Sequence, residues 1–198
     1  MITQVDRSIY LASRSPRRQE LLGQIGVKFE SIGIDVDEAV LGGESPRAYV
    51  ERLARAKSEA GWRRVELDKL PRAPVLGADT TVAIDGRILG KPADRREAAQ
   101  MLASLSGRLH EVLTAVSIKF GARLESAVSV SEVRFKALSN EEIARYVATG
   151  ECEDKAGAYG IQGHAARFVA DLHGSFSGVM GLPLYETAQL MDRIGPAA

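Results

Sequence analysis

The chain has 198 residues, of which 26 are Lys or Arg and 26 are Asp or Glu, so its formal net charge is zero; 45% are hydrophobic and 26% charged. This composition excludes a collagen, a coiled coil and a mostly disordered chain. The lack of a basic field excludes a protein whose main partner is bulk nucleic acid, though not a local basic pocket.

A single cysteine, Cys152, rules out an intramolecular disulfide and points to a reducing compartment. Every apolar stretch is broken before the roughly 18 residues a spanning helix needs. Residues 1–7 are polar and lack the apolar core of a signal peptide. The expectation is a cytoplasmic protein folded as a single domain over 1–198.

In chain order, short apolar strands alternate with amphipathic helices. Residues 8–12 read as a buried strand. Ser15 as N-cap and Pro16 at the first helical position open a helix over 16–25, with Leu21, Leu22 and Ile25 on one face and Gly26 as its stop. Residues 28–35 are strand-like. A helix follows over 46–60, capped by Ser45, with Val50, Leu53, Ala54 and Ala60 at helical spacing. Residues 71–74 form a loop, 75–78 and 82–84 are short strand pieces, and Asp85-Gly86 is a hairpin turn. The helix over 94–105 carries Ala98, Met101, Leu102 and Leu105 at i, i+3, i+4 and i+7. Two long strand-like runs, 109–119 and 124–136, meet near Gly121. Ser139 with Glu142 forms a capping box for a helix ending near Gly150. Residues 151–163 are a Gly-rich loop, 166–172 a strand, and 183–193 a closing helix. Interleaved strands and helices, with a long antiparallel pair, predict an α/β fold on a mixed sheet.

Four sites carry chemistry in this pattern. Ser13-Arg14-Ser15-Pro16-Arg17-Arg18 lies at a strand-to-helix junction, where unpaired N–H groups bind phosphate. Two cations at a helix N-terminus oppose its dipole unless an anion sits there. The same residues also fit a capped helix with solvated arginines. Asp79, in Gly77-Ala78-Asp79-Thr80-Thr81, ends a buried apolar run. Its carboxylate needs a cation or several donors, unless it only closes an Asx-turn. Asp35-Val36-Asp37-Glu38 could supply oxygens to a hard cation or be a solvated surface loop. Lys57, Lys91 and Lys155, in a chain whose basic residues are mostly arginine, are compact charges suited to phosphate oxygens.

Other patterns fail. Residues 86–91 are one residue short of a P-loop, and Pro92 stands where a Ser or Thr is needed. Gly157, Gly160 and Gly163 recur every third residue, which is not the dinucleotide fingerprint. His110, His164 and His173 are scattered and lack zinc-ligand spacing. Cys152 has no local partner for nucleophilic chemistry. A phosphate cradle, carboxylates for a metal and lysines together suit phosphoanhydride chemistry.

The run from Leu11 to Leu22 (Leu-Ala-Ser-Arg-Ser-Pro-Arg-Arg-Gln-Glu-Leu-Leu) resembles the signature opening of the Maf family of nucleoside triphosphate pyrophosphatases. The resemblance continues through 75–80, Gly90-Lys91-Pro92, 154–163 and Gly181-Leu182-Pro183-Leu184. It implies a Maf/ITPase-like fold, a strongly twisted mixed sheet flanked by helices with two lobes around a central cleft. It also implies hydrolysis of a nucleoside triphosphate to the monophosphate and pyrophosphate with a divalent metal, Mg²⁺ or Mn²⁺. By the same resemblance, Ser13, Arg17 and Arg18 hold phosphates, and Glu38 matches the acidic position after the second strand better than Asp35 or Asp37. Lys57, Asp79, Lys91, Lys155 and Gln162 match cleft residues. Tyr159 and Gln162-Gly163 look like the subgroup acting on dTTP and UTP. Arg14 departs from the family pattern, which has a small residue there.

The mechanism expected from this has Glu38 and Asp79 holding the metal. Asp79 is the general base or the ligand beside the attacking water, and Lys57, Lys91 and Lys155 stabilise developing charge. The Gln162 amide pairs with a pyrimidine carbonyl and N3–H. The expected partners are the nucleotide and, by resemblance, a second copy in a homodimer, with no membrane and no stable nucleic-acid complex. Two alternatives stand beside house-cleaning of dTTP and UTP: a broader pyrophosphatase for modified nucleotides, and a regulator of septum formation acting by nucleotide binding.

Overall fold

A computed structural model describes residues 8–194; the polar segment 1–7 lies outside the described residues. Its first half runs β1 (Ser8–Leu11), α1 (Pro16–Gln24), β2 (Lys28–Ser31), α2 (Pro46–Leu67), β3 (Val75–Ile84), β4 (Arg87–Leu89) and α3 (Arg95–Leu105). The second half runs β5 (Leu109–Phe120), β6 (Arg123–Phe135), α4 (Asn140–Ala148), β7 (Val169–His173), α5 (Phe176–Met180) and α6 (Leu184–Ile194). Short 3₁₀ turns occupy Ala156–Ala158 and His164–Phe168.

The seven strands form one mixed sheet in the order β2-β1-β3-β5-β6-β7, with β4 paired to β3. β1 runs parallel to β2 and β3, and the β3–β5, β5–β6 and β6–β7 pairs are antiparallel. This is the mixed α/β sheet that the sequence pattern predicts. Among the described residues no helix is long and apolar enough to cross a membrane.

Side-chain alternation on β3 divides the molecule. Leu76, Ala78, Val82 and Ile84 enter the larger core, with Leu21 and Leu22 of α1, Ala98 and Leu102 of α3, and Leu190 of α6. On the opposite face Ala83 packs with Val50, Leu53 and Ala54 of α2 and with Leu113 and Ala115 of β5. Gly77 and Asp79 share that parity, so Asp79 points towards α2 while Thr80 points away from it. The absence of a side chain at Gly77 brings α2 in close: a Cβ there would lie 2.5 Å from Ala54 O and from Ser58 N.

Several expectations shift. β3 is one ten-residue strand rather than two pieces, because polar Asp79–Thr81 continue the ladder opposite Ala115–Leu113. α2 runs on to Leu67, burying Trp62 and Val65. β2 stops at Ser31, freeing the following chain to carry Glu38 away from the sheet. The first part of the predicted 166–172 strand is a 3₁₀ turn, and β7 begins at Val169. Ser15 is the N-cap of α1 but makes no side-chain cap bond; its own N–H donates to Ser13 Oγ at 3.2 Å. The Ser139–Glu142 capping box is present in full. The Asp85-Gly86 turn has positive φ at both residues (51° and 74°), the geometry of a type I′ hairpin.

Candidate active site

A cleft of about 1280 Å³ opens between the β1–α1 junction, the Glu38 segment, β3 and the Gly-rich loop. All nine predicted site residues line it: Ser13, Arg17, Arg18, Glu38, Lys57, Asp79, Lys91, Lys155 and Gln162. They come from separate parts of the chain, and the topology brings them to one place.

At the centre, Lys57 of α2 places Nζ 2.6 Å from Asp79 Oδ1 and 2.6 Å from Glu38 Oε1. Lys57 is 9% and Asp79 7% exposed. Lys91 Nζ lies 3.6 Å from Glu38 Oε2. Burial holds the Asp79 carboxyl above the ordinary aspartate range, with Lys57 and Arg18 opposing the shift. Burial also raises the Glu38 carboxyl, but the hydrogen bond and charge of Lys57, with Lys91 beside it, outweigh this and leave it below its ordinary value. The Glu38 segment is tied to α2 by Tyr49, whose hydroxyl donates to Glu38 O at 3.0 Å, and by Arg52, which donates to Ala39 O at 3.0 Å. Asp37 caps Ala39 N and Asp35 faces the exposed Arg14 at 3.5 Å. Of the three acids in this segment, only Glu38 meets the buried lysine.

The same donor set suits a divalent cation under one condition. Lys57 contacts one oxygen of each carboxylate and leaves the second oxygen of each free of it. Mg²⁺ is commonly held by one or two carboxylates completed by substrate phosphates and water. Among the described residues no group of three or more His, Cys, Asp or Glu is arranged to hold a metal alone. The residues therefore fit a cation that arrives with a polyphosphate, and do not form a self-sufficient metal cage.

The two arginines of α1 differ. Arg18 donates through Nε to Gly181 O at 2.8 Å, through Nη1 to Ser13 Oγ at 3.2 Å and through Nη2 to Thr80 Oγ1 at 3.4 Å. Thr80 and Thr114 hydroxyls are 2.9 Å apart, and Thr114 donates to Gly178 O at 2.7 Å. The one Thr114 proton is thus committed, so Thr80 is the donor between the threonines. No hydrogen bond or ion pair among the described residues holds the Arg17 guanidinium. Lys155 donates to the carbonyl of Glu151 at 2.6 Å. Its amine is pulled down by burial first and by the like charge of Arg17 second. These two cations repel each other, and neither is in an ion pair with a carboxylate among the described residues, an arrangement that suits an anion.

Sequence reasoning missed Glu151, Thr80 and Thr114. Thr80 sits inside a motif already singled out. Thr114 acts through partners far along the chain, and Glu151 through contacts within its own loop region that no motif marks.

The sequence profile of the family described as Maf-like protein matches residues 8–194. The chain is 55% identical to a dTTP/UTP pyrophosphatase of Aromatoleum aromaticum, covering 96% of this chain and 97% of that protein. It is 54% identical to a dTTP/UTP pyrophosphatase of Chromobacterium violaceum, covering 96% of each. Among solved structures, the Staphylococcus aureus Ham1 protein is a partial likeness, with a TM-score of 0.45 and 15% identity over 65% of this chain and 72% of that one.

Proposed function

The chain belongs to the Maf-like family, and from that membership and the cleft together we propose that it hydrolyses dTTP and UTP to the monophosphate and pyrophosphate. Near full-length identity to dTTP/UTP pyrophosphatases supports the activity. The structural observation that carries it is the juxtaposition of Arg17 and Lys155, neither in an ion pair among the described residues, with the Glu38–Lys57–Asp79 cluster in one cleft.

In this reading Arg17, Lys155 and the N–H groups opening α1 bind the triphosphate tail. Arg18 fixes Ser13, Thr80 and Gly181 around that tail through the three bonds it makes to them. Water attacks the α-phosphorus, the bond to the α–β bridging oxygen breaks, and pyrophosphate leaves with that oxygen and the bonding pair. Asp79 takes the proton of the attacking water; its upward-shifted carboxyl makes it a stronger base than an exposed aspartate. Lys57 keeps Asp79 and Glu38 apart from each other's charge and orients both. Glu38 and Asp79 would hold Mg²⁺ or Mn²⁺ with the phosphates, and the cation would offset phosphate charge and acidify water. Gln162 faces the base.

A protein that only binds nucleotide, as a septum regulator would, is not favoured. Two carboxylates beside a phosphate site repel the ligand unless a cation intervenes, and a pure binder has no need of them. A broader pyrophosphatase for modified nucleotides is likewise not favoured by the relatives' names. Pyrophosphate release from dTTP and UTP, with Mg²⁺ and with a chelator, tests the reading. Release that requires the cation is expected, and no release under either condition overturns it.

A further inference from the structure

The glycines at 157, 160 and 163 fit no nucleotide-binding fingerprint, yet each is filled by a neighbour. A Cβ on Gly157 would lie 2.8 Å from Val82 Cγ2, and one on Gly160 would lie 2.8 Å from Lys155 Cε. A Cβ on Gly163 would lie 2.3 Å from Cδ and from both oxygens of Glu151. The Glu151 carboxylate is seated on the bare backbone of Gly163.

That carboxylate makes no ion pair among the described residues, although it lines the cleft. It accepts from Tyr146 Oη at Oε1 (3.1 Å) and from the backbone N–H of His164 at Oε2 (2.8 Å). Tyr146 Oη in turn accepts from Gly160 N at 3.3 Å. The main-chain carbonyl of the same Glu151 holds Lys155 Nζ. One residue therefore clamps both ends of the 160–164 segment, directly and through Tyr146, and fixes the phosphate-side lysine as well. Gln162, in the middle of that segment, is exposed and has no hydrogen-bond partner of its own among the described residues. Its position follows from its backbone.

We propose that Glu151 is the positioning residue for base selection: seated on Gly163 and tied to His164 and Tyr146, it holds the segment that presents Gln162. This rests on the reading that the 160–164 segment faces the base of a nucleoside triphosphate. It assigns the every-third glycine spacing to side-chain seating, which explains why the pattern matches no phosphate loop.

The test compares dTTP with dCTP, which share sugar and triphosphate, so any change at the phosphate end cancels in the ratio of their kcat/KM values. Glu151→Ala frees both ends of the segment and is expected to lower the dTTP:dCTP ratio by roughly fivefold or more, the effect of losing about one well-placed polar contact. Tyr146→Phe removes one hydroxyl from the same clamp with little change of shape, and is expected to move the ratio in the same direction by less. Thermal melts identify folded variants. Should Glu151→Ala fail to fold, Tyr146→Phe decides. A ratio unchanged from the wild type in the folded variants, whatever happens to the absolute rate, overturns the proposal, because a merely structural role lowers both substrates alike. Absence of pyrophosphate release from dTTP by the wild type overturns the underlying reading instead.

Discussion

At the scale of single residues, the site separates groups that look alike in sequence. Arg17 and Arg18 are adjacent, but neighbours on a helix point about 100° apart, and here the two meet different surroundings. Arg18 is occupied by Ser13, Thr80 and Gly181. Arg17 is held by nothing among the described residues. Arg18→Ala should therefore lower the melting temperature of the ligand-free protein, since losing a donor to part-buried acceptors costs about 1–3 kcal/mol. Arg17→Ala should leave the free protein's melt nearly unchanged and reduce the further stabilisation given by added nucleotide. Equal behaviour of the two variants in paired melts would contradict this division. Asp79 is the other decisive residue. Asp79→Asn keeps the shape and one acceptor oxygen for Lys57 but removes the basic site, and should reduce dTTP turnover roughly 10²–10⁴-fold. A folded Asp79→Asn protein that turns over dTTP at close to the wild-type rate would remove Asp79 from the mechanism.

At the scale of elements, the pairing of α2 with β3 sets the chemistry. Lys57 reaches Asp79 because Gly77, two residues earlier on the same strand face, lets the helix backbone approach. Gly77→Ala would place a methyl 2.5 Å from Ala54 O and Ser58 N and 3.1 Å from Lys57 Cβ. Helix or strand must then move, at a cost of about 1–3 kcal/mol. Urea unfolding should show that loss, and dTTP turnover per folded molecule should fall as well, because the displaced helix carries Lys57. Stability lost without activity would mean that the lysine's position tolerates the shift. The elements themselves were mostly legible: Ser45 and Ser139 cap their helices as expected. What escaped has physical reasons. β3 reads as two pieces because Asp79 interrupts its apolar run, and the lysine across the interface, with Arg18 beside it, makes that interruption tolerable. Five-residue α5 is too short for a periodic signal. The nine residues expected in the cleft do line it, and they could be named because local motifs and the family resemblance carry them. Glu151 was not, since its significance lies in an empty space at Gly163, twelve positions away.

At the scale of the whole molecule, the sheet ties the Gly-rich loop to the core through His110 on β5. Its Nε2 and Tyr159 Oη are 2.9 Å apart, and its ring packs edge-on against Phe135 with centroids 4.9 Å apart. Burial, partly offset by the backbone of Arg108, pulls the His110 pKa down from 6.5 to about 4. The folded protein therefore keeps His110 neutral over a range where the unfolded chain binds a proton. Because the folded pKa is the lower one, the stability this group contributes is complete above pH 6.5 and is lost as pH falls towards 4. Each tenfold difference in proton affinity between the folded and unfolded chain is worth about 1.4 kcal/mol, so the full loss is about 3 kcal/mol. Other groups titrate in the same window, so the wild type alone does not isolate it. His110→Gln keeps an amide near the Tyr159 hydroxyl and does not titrate. Urea unfolding of both proteins at pH 7.5 and 4.5 should show the wild-type advantage shrinking, or its deficit growing, by about 2–3 kcal/mol at the lower pH. The carboxylates cancel in that difference. A difference independent of pH would mean that His110 is protonated as easily in the fold as outside it, which its packing among Phe135 and Tyr159 does not allow without rearrangement of the loop it anchors.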